Sequence, residues 1–345
     1  MLFNNMEFFN VSDIKKEDNG GYSLYRFPES VRKVTYNIGT RMATSATLVE
    51  IRFVTDADVI WLTLESRIGD MPFYVFCGDY KYLSLKLSAG EKKTFVLEPN
   101  GNFASKGDEL LDTPHYKNRY SHNVWRIVIP DGYPIFHGVD IQNGSFIRPP
   151  MPRELPSKKL LIYGSSISHG CWADSYMLGY TNIAGELLGV DVMNKGMSGS
   201  CREEAQMADY LAGEDFDVMY LELTTNMSNP NDFTTEEVMK RTEYLVRKIC
   251  SENPSKKIVT SNAFVLSFGK KDDELTEKES RVKDISQRVC ELIDKLKGEY
   301  KNLFFFNSSE VYREGYYCCY DFVHPSEFGH IRMAFNFAEV MKKYF

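Results

Sequence analysis

The spacing of apolar residues changes once along this chain of 345 residues, and the change falls at a run of prolines. Before about residue 150 the period is two. Thr47-Leu-Val-Glu-Ile-Arg-Phe-Val, Val59-Ile-Trp-Leu-Thr-Leu-Glu, Tyr82-Leu-Ser-Leu-Lys-Leu, Lys93-Thr-Phe-Val-Leu-Glu and Asn123-Val-Trp-Arg-Ile-Val-Ile-Pro alternate apolar with polar side chains. Successive side chains of an extended strand point to opposite faces, so this alternation predicts short strands with one buried face. Turn signals separate them at Asp56-Ala-Asp, Cys77-Gly-Asp, Ala89-Gly, Pro99-Asn-Gly and Asp131-Gly. With no long helical pattern in this half, residues 1–150 read as an all-β, jelly-roll-like sandwich.

Arg148-Pro-Pro-Met-Pro-Arg-Glu-Leu-Pro-Ser carries four prolines in ten residues, which stiffens the chain and removes the donors a sheet ladder needs. This places a domain boundary near 150. Beyond it, continuous apolar runs at 159–163, 190–194, 216–223, 257–260 and 303–307 alternate with helical patterns at 176–188, 203–212, 235–251, about 273–300 and 326–344. Strands buried on both faces and joined through helices form a parallel sheet by right-handed crossovers. Residues 151–345 are therefore expected to be a three-layer α/β/α domain around a five-stranded parallel sheet. At roughly 150 residues per domain the length accommodates both halves.

Composition narrows the partners. The formal net charge is 41 − 48 = −7, and no Lys/Arg cluster is long enough to track a phosphate backbone, so nucleic acid is not an expected partner. No stretch reaches the roughly 20 apolar residues of a membrane span, and the first ten residues lack the basic start and apolar segment of a signal peptide. The expectation is a cytoplasmic protein with no membrane partner. The seven cysteines form no C-x-x-C pair and no zinc-ligand spacing, and read as reduced thiols. Aromatic residues make up 14 %, with 21 Tyr and 23 Phe, which is more than core packing usually calls for and is compatible with sugar binding.

In a parallel α/β sheet, ligands bind at the carboxyl ends of the strands. The first such end reads Tyr163-Gly164-Ser165-Ser166-Ile167-Ser168-His169-Gly170. A serine at a strand-to-helix turn exposes a hydroxyl nucleophile, yet serine also caps helices, and this segment alone does not separate the two readings. It is not the G-x-S-x-G elbow, because position 168 is Ser. The second end, Asn194-Lys-Gly-Met-Ser-Gly199-Ser-Cys, carries glycines whose N–H groups can face a cavity. The third, Leu221-Glu-Leu-Thr-Thr-Asn226-Met, offers an amide to an oxyanion or simply a turn. After the fifth comes Asp321-Phe-Val-His324-Pro-Ser-Glu-Phe-Gly-His330, where the spacing lets Asp321 hold the tautomer of His324. His330, farther along the helix, reads as structural.

These four segments, in this order and each at a strand end, resemble the SGNH (GDSL-type) hydrolase family. The residues that name the family match Ser166, Gly199, Asn226 and His324, and the family's Asp three residues before the His matches Asp321. The resemblance covers about residues 158–345. It implies a Ser166–His324–Asp321 triad, an oxyanion hole made by Ser166, Gly199 and Asn226, and no metal or organic cofactor. Two blocks depart from the family pattern: Gly-Asp-Ser is Gly164-Ser165-Ser166 here, and Gly-x-Asn-Asp is Thr224-Thr225-Asn226-Met227. Neither change removes a catalytic group.

A Gly-Ser-Ser-Ile-Ser variant behind a β-sandwich resembles bacterial two-domain carbohydrate esterases, which implies removal of acetyl groups from mannan- or xylan-derived oligosaccharides. Aromatic residues near the serine and histidine supply candidate sugar contacts: His169, Trp172, Tyr316, Tyr317, Tyr320 and Phe322, roughly half of them expected in the core. A lipase, thioesterase or acyltransferase on the same triad is an alternative, and so is a sugar-binding protein with an inert hydrolase domain. The first half could bind sugar through Trp61 or Trp125, wall the active site, or mediate homo-oligomer formation.

Overall fold

The computed structural model describes residues 1–35, 38–98, 119–264, 275–313 and 317–345. The chain forms two compact units, Met1–Pro28 with Thr44–Ser157, and Glu29–Ala43 with Lys158–Phe345.

The first unit is built from two antiparallel sheets. One contains β1 (Leu2–Phe3), β2 (Met6–Phe9), β5 (Val49–Thr55), β10 (Val124–Ile129), β7 (Met71–Cys77) and β8 (Tyr80–Leu87) in that order, with β12 (Ile147–Arg148) also paired to β5. The other runs β3 (Asp13–Lys16), β4 (Tyr22–Tyr25), β11 (Pro134–Ile141), β6 (Ile60–Ser66), β9 (Lys92–Leu97). Burial alternates strictly along β6 and β7, as the period-two sequence predicts. Ile60, Leu62 and Leu64 belong to one core with Ile51, Phe53, Phe73, Val75 and Ile127. Trp125 belongs to this core, stacked on Phe53 and edge-on to Tyr82.

Strands β5 and β10 are buried on their polar face as well. There Glu50 accepts from both Arg126 (2.7 and 2.9 Å) and Arg52 (2.8 Å). Burial alone would push the Glu50 carboxyl up, but the two guanidinium groups outweigh it and hold the carboxyl well below the usual carboxylate range.

In the second unit the parallel sheet runs β14 (Asp191–Asn194), β13 (Lys159–Tyr163), β15 (Val218–Glu222), β16 (Lys257–Ser261), β17 (Leu303–Phe306). Every registered pair is parallel, for example Leu161 with both Met193 and Met219. This order, 2-1-3-4-5, reverses direction on either side of β13, and the ends of β13, β14 and β15 surround that switch point. Among the described residues the α-helices are α1 (Glu29–Arg32), α2 (Ile38–Thr44), α3 (Ser166–His169), α4 (Tyr180–Leu188), α5 (Ala205–Ala212), α6 (Thr235–Glu252), α7 (Glu277–Glu299) and α8 (Glu327–Met341). The helix expected from Asp273 begins at Glu277, capped by Thr276, with residues 273 and 274 outside the described residues. Gly179 divides the pattern 176–188 into a short 3-10 turn and α4. α1 and α2 had no expected counterpart: helices of four and seven residues are too short to show a period, yet Val31 and Ala43 are fully buried. No helix among the described residues is long and apolar enough to cross a membrane.

Candidate active site

The end of β13 turns directly into the single-turn α3. Ser165 caps it, its Oγ accepting from the Ile167 N–H at 3.2 Å, and Gly170 closes it in the left-handed region (φ 98°), its N–H reaching the Ser166 and Ile167 carbonyls. Ser166 is thus the first residue of a turn held at both ends. A further anchor comes from Glu222, the fully buried last residue of β15. Its Oε2 accepts from the Ser165 N–H (3.0 Å), and its Oε1 accepts from the hydroxyls of Ser165 and Thr225 (2.7 Å to the latter). Gly164 is needed there, because a Cβ would sit 2.7 Å from Glu222 Cβ.

Ser166 Oγ lies 2.7 Å from His324 Nε2, and His324 Nδ1 lies 2.6 Å from Asp321 Oδ2. An ionised carboxylate only accepts, so Nδ1 carries the imidazole proton and Nε2 accepts from the serine hydroxyl. Asp321 Oδ1 also accepts from the backbone N–H groups of Val323 and His324. Partial burial raises the Asp321 carboxyl, but the His324 ring hydrogen bond and these two amides overcome that and keep it below its ordinary value. Trp172, itself left-handed at φ 72°, stacks on the His324 ring at 5.8 Å between centroids and 25° between planes.

His330 joins α8 to the serine loop. Its Nε2–H donates to the Cys171 carbonyl (2.9 Å) and its Nδ1 accepts from the Tyr180 N–H (3.3 Å). Burial pushes its pKa down to about 4, the Cys171 hydrogen bond opposing and the nearby His324 adding slightly.

Gly199 ends the β14 loop in the left-handed region, at φ 66°. Asn226 sits in a short turn after β15, its Oδ1 accepting from the Cys201 N–H at 3.0 Å. That leaves the amide nitrogen, which has no protein partner among the described residues, to serve as a donor. The residues expected at the site therefore sit at four strand ends of one sheet, with Ser166, His324 and Asp321 in a continuous hydrogen-bonded chain. Such a chain can raise the nucleophilicity of a hydroxyl and return its proton to a leaving group.

The candidate sugar contacts divide. Trp172, Tyr320 and Phe322 are 46 %, 82 % and 65 % exposed, and Trp172 packs edge-on against Tyr320 at 5.6 Å. Tyr317 is half-buried, its carbonyl engaged by Ser326. His169 is enclosed, 1 % exposed and stacked on Tyr176 at 4.7 Å, so its ring is not displayed beside the other three. Tyr316 lies outside the described residues.

Three residues that support the site carry no functional signature in the sequence. Glu222 stands out there only as a carboxylate in an otherwise apolar strand. Glu203, the first residue of the expected 203–212 helix, is buried and precedes α5, which begins at Ala205. Ile38 stands against the Gly199 loop, where a Cβ on Gly199 would meet its Cγ2 at 3.6 Å. Its contact partner is about 160 residues away in sequence.

Several solved structures share the fold over nearly the whole chain. A salicylyl-acyltransferase, SsfX3, from a tetracycline biosynthetic pathway is 15 % identical, with a TM-score of 0.77, covering 99 % of this chain and 95 % of its own. A family two carbohydrate esterase from Cellvibrio japonicus is 14 % identical, with a TM-score of 0.63 and coverage of 99 % and 96 %. Another from Clostridium thermocellum, in complex with cellohexaose, is 14 % identical, with a TM-score of 0.59 and 98 % of each chain covered. No curated protein sequence matches the chain. The GDSL-like lipase/acylhydrolase family matches residues 157–342, more than half of the sequence and all four strand-end segments. The chain belongs to the GDSL-like lipase/acylhydrolase family.

Proposed function

We propose that this chain is a serine esterase that removes O-acetyl groups from mannan- or xylan-derived oligosaccharides. The observation that carries the proposal is the unbroken Ser166–His324–Asp321 chain of hydrogen bonds, 2.7 and 2.6 Å, bordered by the exposed rings of Trp172, Tyr320 and Phe322. His324, oriented by Asp321, takes the Ser166 proton as the oxygen attacks the ester carbonyl. The oxyanion is received by the N–H groups of Ser166 and Gly199 and by the Asn226 amide. Collapse of the tetrahedral intermediate expels the sugar oxygen, which His324 protonates, and leaves an acetyl group on Ser166. Water, deprotonated by His324, then attacks the acyl-enzyme, and acetate leaves with Ser166 restored. The aromatic faces suit the C–H faces of pyranose rings, and the family-two carbohydrate esterases share the fold.

Mass spectrometry of acetylated mannan and xylan oligosaccharides before and after treatment tests the reading: loss of 42 Da units, abolished by Ser166→Ala, is expected. Retained activity in Ser166→Ala refutes the nucleophile. A wild type inactive on every ester favours the inert sugar-binding alternative. A second reading, acyl transfer to an alcohol, draws on the fold shared with the salicylyl-acyltransferase. It predicts that an added alcohol captures the acyl group in preference to water, whereas preference for octanoate over acetate nitrophenyl esters would favour a lipase.

A further inference from the structure

Thr224 stands where the family's third block has glycine, and its backbone is left-handed, φ 67°. A β-branched residue is strained in that region. Among the described residues its buried Oγ1 has no hydrogen-bond partner, so the side chain returns nothing for the strain. The compensating contact is on its backbone: the Thr224 N–H donates to Glu203 Oε1 at 2.8 Å. Glu203 is itself left-handed at φ 52° and buried, with 1 % exposure. Its Oε2 lies 2.6 Å from Thr242 Oγ1, which also lies 3.0 Å from the Val238 carbonyl. The Thr242 hydroxyl has one proton. If it donates that proton to Val238, the proton shared with Glu203 belongs to the carboxyl, and Glu203 is a neutral acid. Burial favours this form, pushing the carboxyl up to about 7 against the hydrogen bonds from Thr242 and Thr224. The segment just past Gly199 thus grips the Asn226 turn twice, through the Cys201 N–H on Asn226 Oδ1 and through Glu203 on Thr224.

We propose that Glu203 is a positioning residue of the oxyanion hole: its buried carboxyl fastens left-handed Thr224 to the loop that follows Gly199, and so sets where the Asn226 amide points. This rests on Asn226 being an oxyanion donor. The test is a kinetic cycle on 4-nitrophenyl acetate with the full chain. Asn226→Ala is expected to lower kcat on the order of 100-fold. Glu203→Ala lowers kcat at least about tenfold with KM within about twofold, because a mis-aimed donor is missed mainly in the transition state. Glu203→Gln stays within about threefold of wild type, since its oxygen accepts from Thr224 and its amide donates to Thr242, whose hydroxyl keeps Val238. In the Asn226→Ala background, Glu203→Ala costs less than about a further twofold, because the group it aims is gone. If Glu203→Ala does not fold, Glu203→Asp, one methylene too short to reach Thr224, takes its place with the same expectations.

Equal losses from Glu203→Ala with and without Asn226 overturn the proposal, as does a Gln variant as damaged as Ala. If Asn226→Ala loses kcat and Glu203→Ala does not, the positioning role alone fails. If Asn226→Ala leaves kcat unchanged, the oxyanion assignment and the proposal fall together.

Discussion

His330→Leu should narrow its stability deficit as the solution becomes acidic. In the folded chain the His330 ring is neutral by construction of its partners: Nδ1 faces the Tyr180 N–H and Nε2–H faces the Cys171 carbonyl, so a second proton would set N–H against N–H. Burial pushes the pKa to about 4, against 6.5 for an ordinary histidine. A depressed folded-state pKa means that the unfolded chain binds more protons between these values, so the wild type loses stability as pH falls through 6.5 toward 4. With those two values, linkage gives no penalty at pH 8, about 2 kcal/mol at pH 5 and about 3 kcal/mol at pH 4. Leucine removes the titration but also leaves the Tyr180 N–H and Cys171 carbonyl without this partner at every pH. Urea unfolding of both proteins at pH 8 and pH 5 isolates the effect, because the other titrating groups are common to both. The gap between them should shrink by about 2 kcal/mol at pH 5. A gap that stays constant within about 0.5 kcal/mol would refute the assignment of a neutral, buried His330.

Glu203→Gln should behave in the opposite sense. A carboxyl raised to about 7 from 4.5 makes the folded state hold an extra proton, so wild-type stability falls as pH rises through that window. The variant should therefore gain on wild type by about 2.5 kcal/mol between pH 5 and pH 8.5, read in the same unfolding experiment. Asp321→Asn should lower kcat on the order of 10³-fold or more by presenting an amide to His324 Nδ1 and disturbing its tautomer; an unchanged kcat would remove Asp321 from the mechanism. Gly196→Ala should lower stability by about 2 kcal/mol, seen as a lower Tm, because its Cβ would fall 2.6 Å from His169 Cα, backbone that cannot rotate away.

What was legible in the sequence was what is local. Ser166, Gly199, Asn226 and His324 each follow an apolar strand, and the rule that parallel sheets bind at strand ends brings them to one edge without any knowledge of packing. The alternation along β6 and β7 likewise announces a two-faced strand. The supports of the site were hidden because their chemistry is long-range. Glu222 acts on Ser165, 57 positions away, and Glu203 acts on Thr224, 21 positions away. Nothing about an acidic residue in isolation says that its partner is a backbone N–H in another loop. His169 misled for the converse reason: nearness in sequence to Ser166 suggested a contact, but one turn of helix faces its ring into the protein. Thr224 in place of glycine was visible as a departure, while the left-handed backbone that makes the departure costly was not.

The excursion of residues 29–43 into the second unit has a consequence for how the protein is made. Synthesis delivers Ile38 about 160 residues before Gly199, the residue it stands against. At 5–20 residues per second this is an interval of roughly 10–30 s, during which Val31 and Ala43 have no finished core to enter. A fragment beginning at Lys158 would therefore lack α1 and α2 altogether. Within the unit they help to complete, α1 and α2 leave the ribosome before every strand of its sheet.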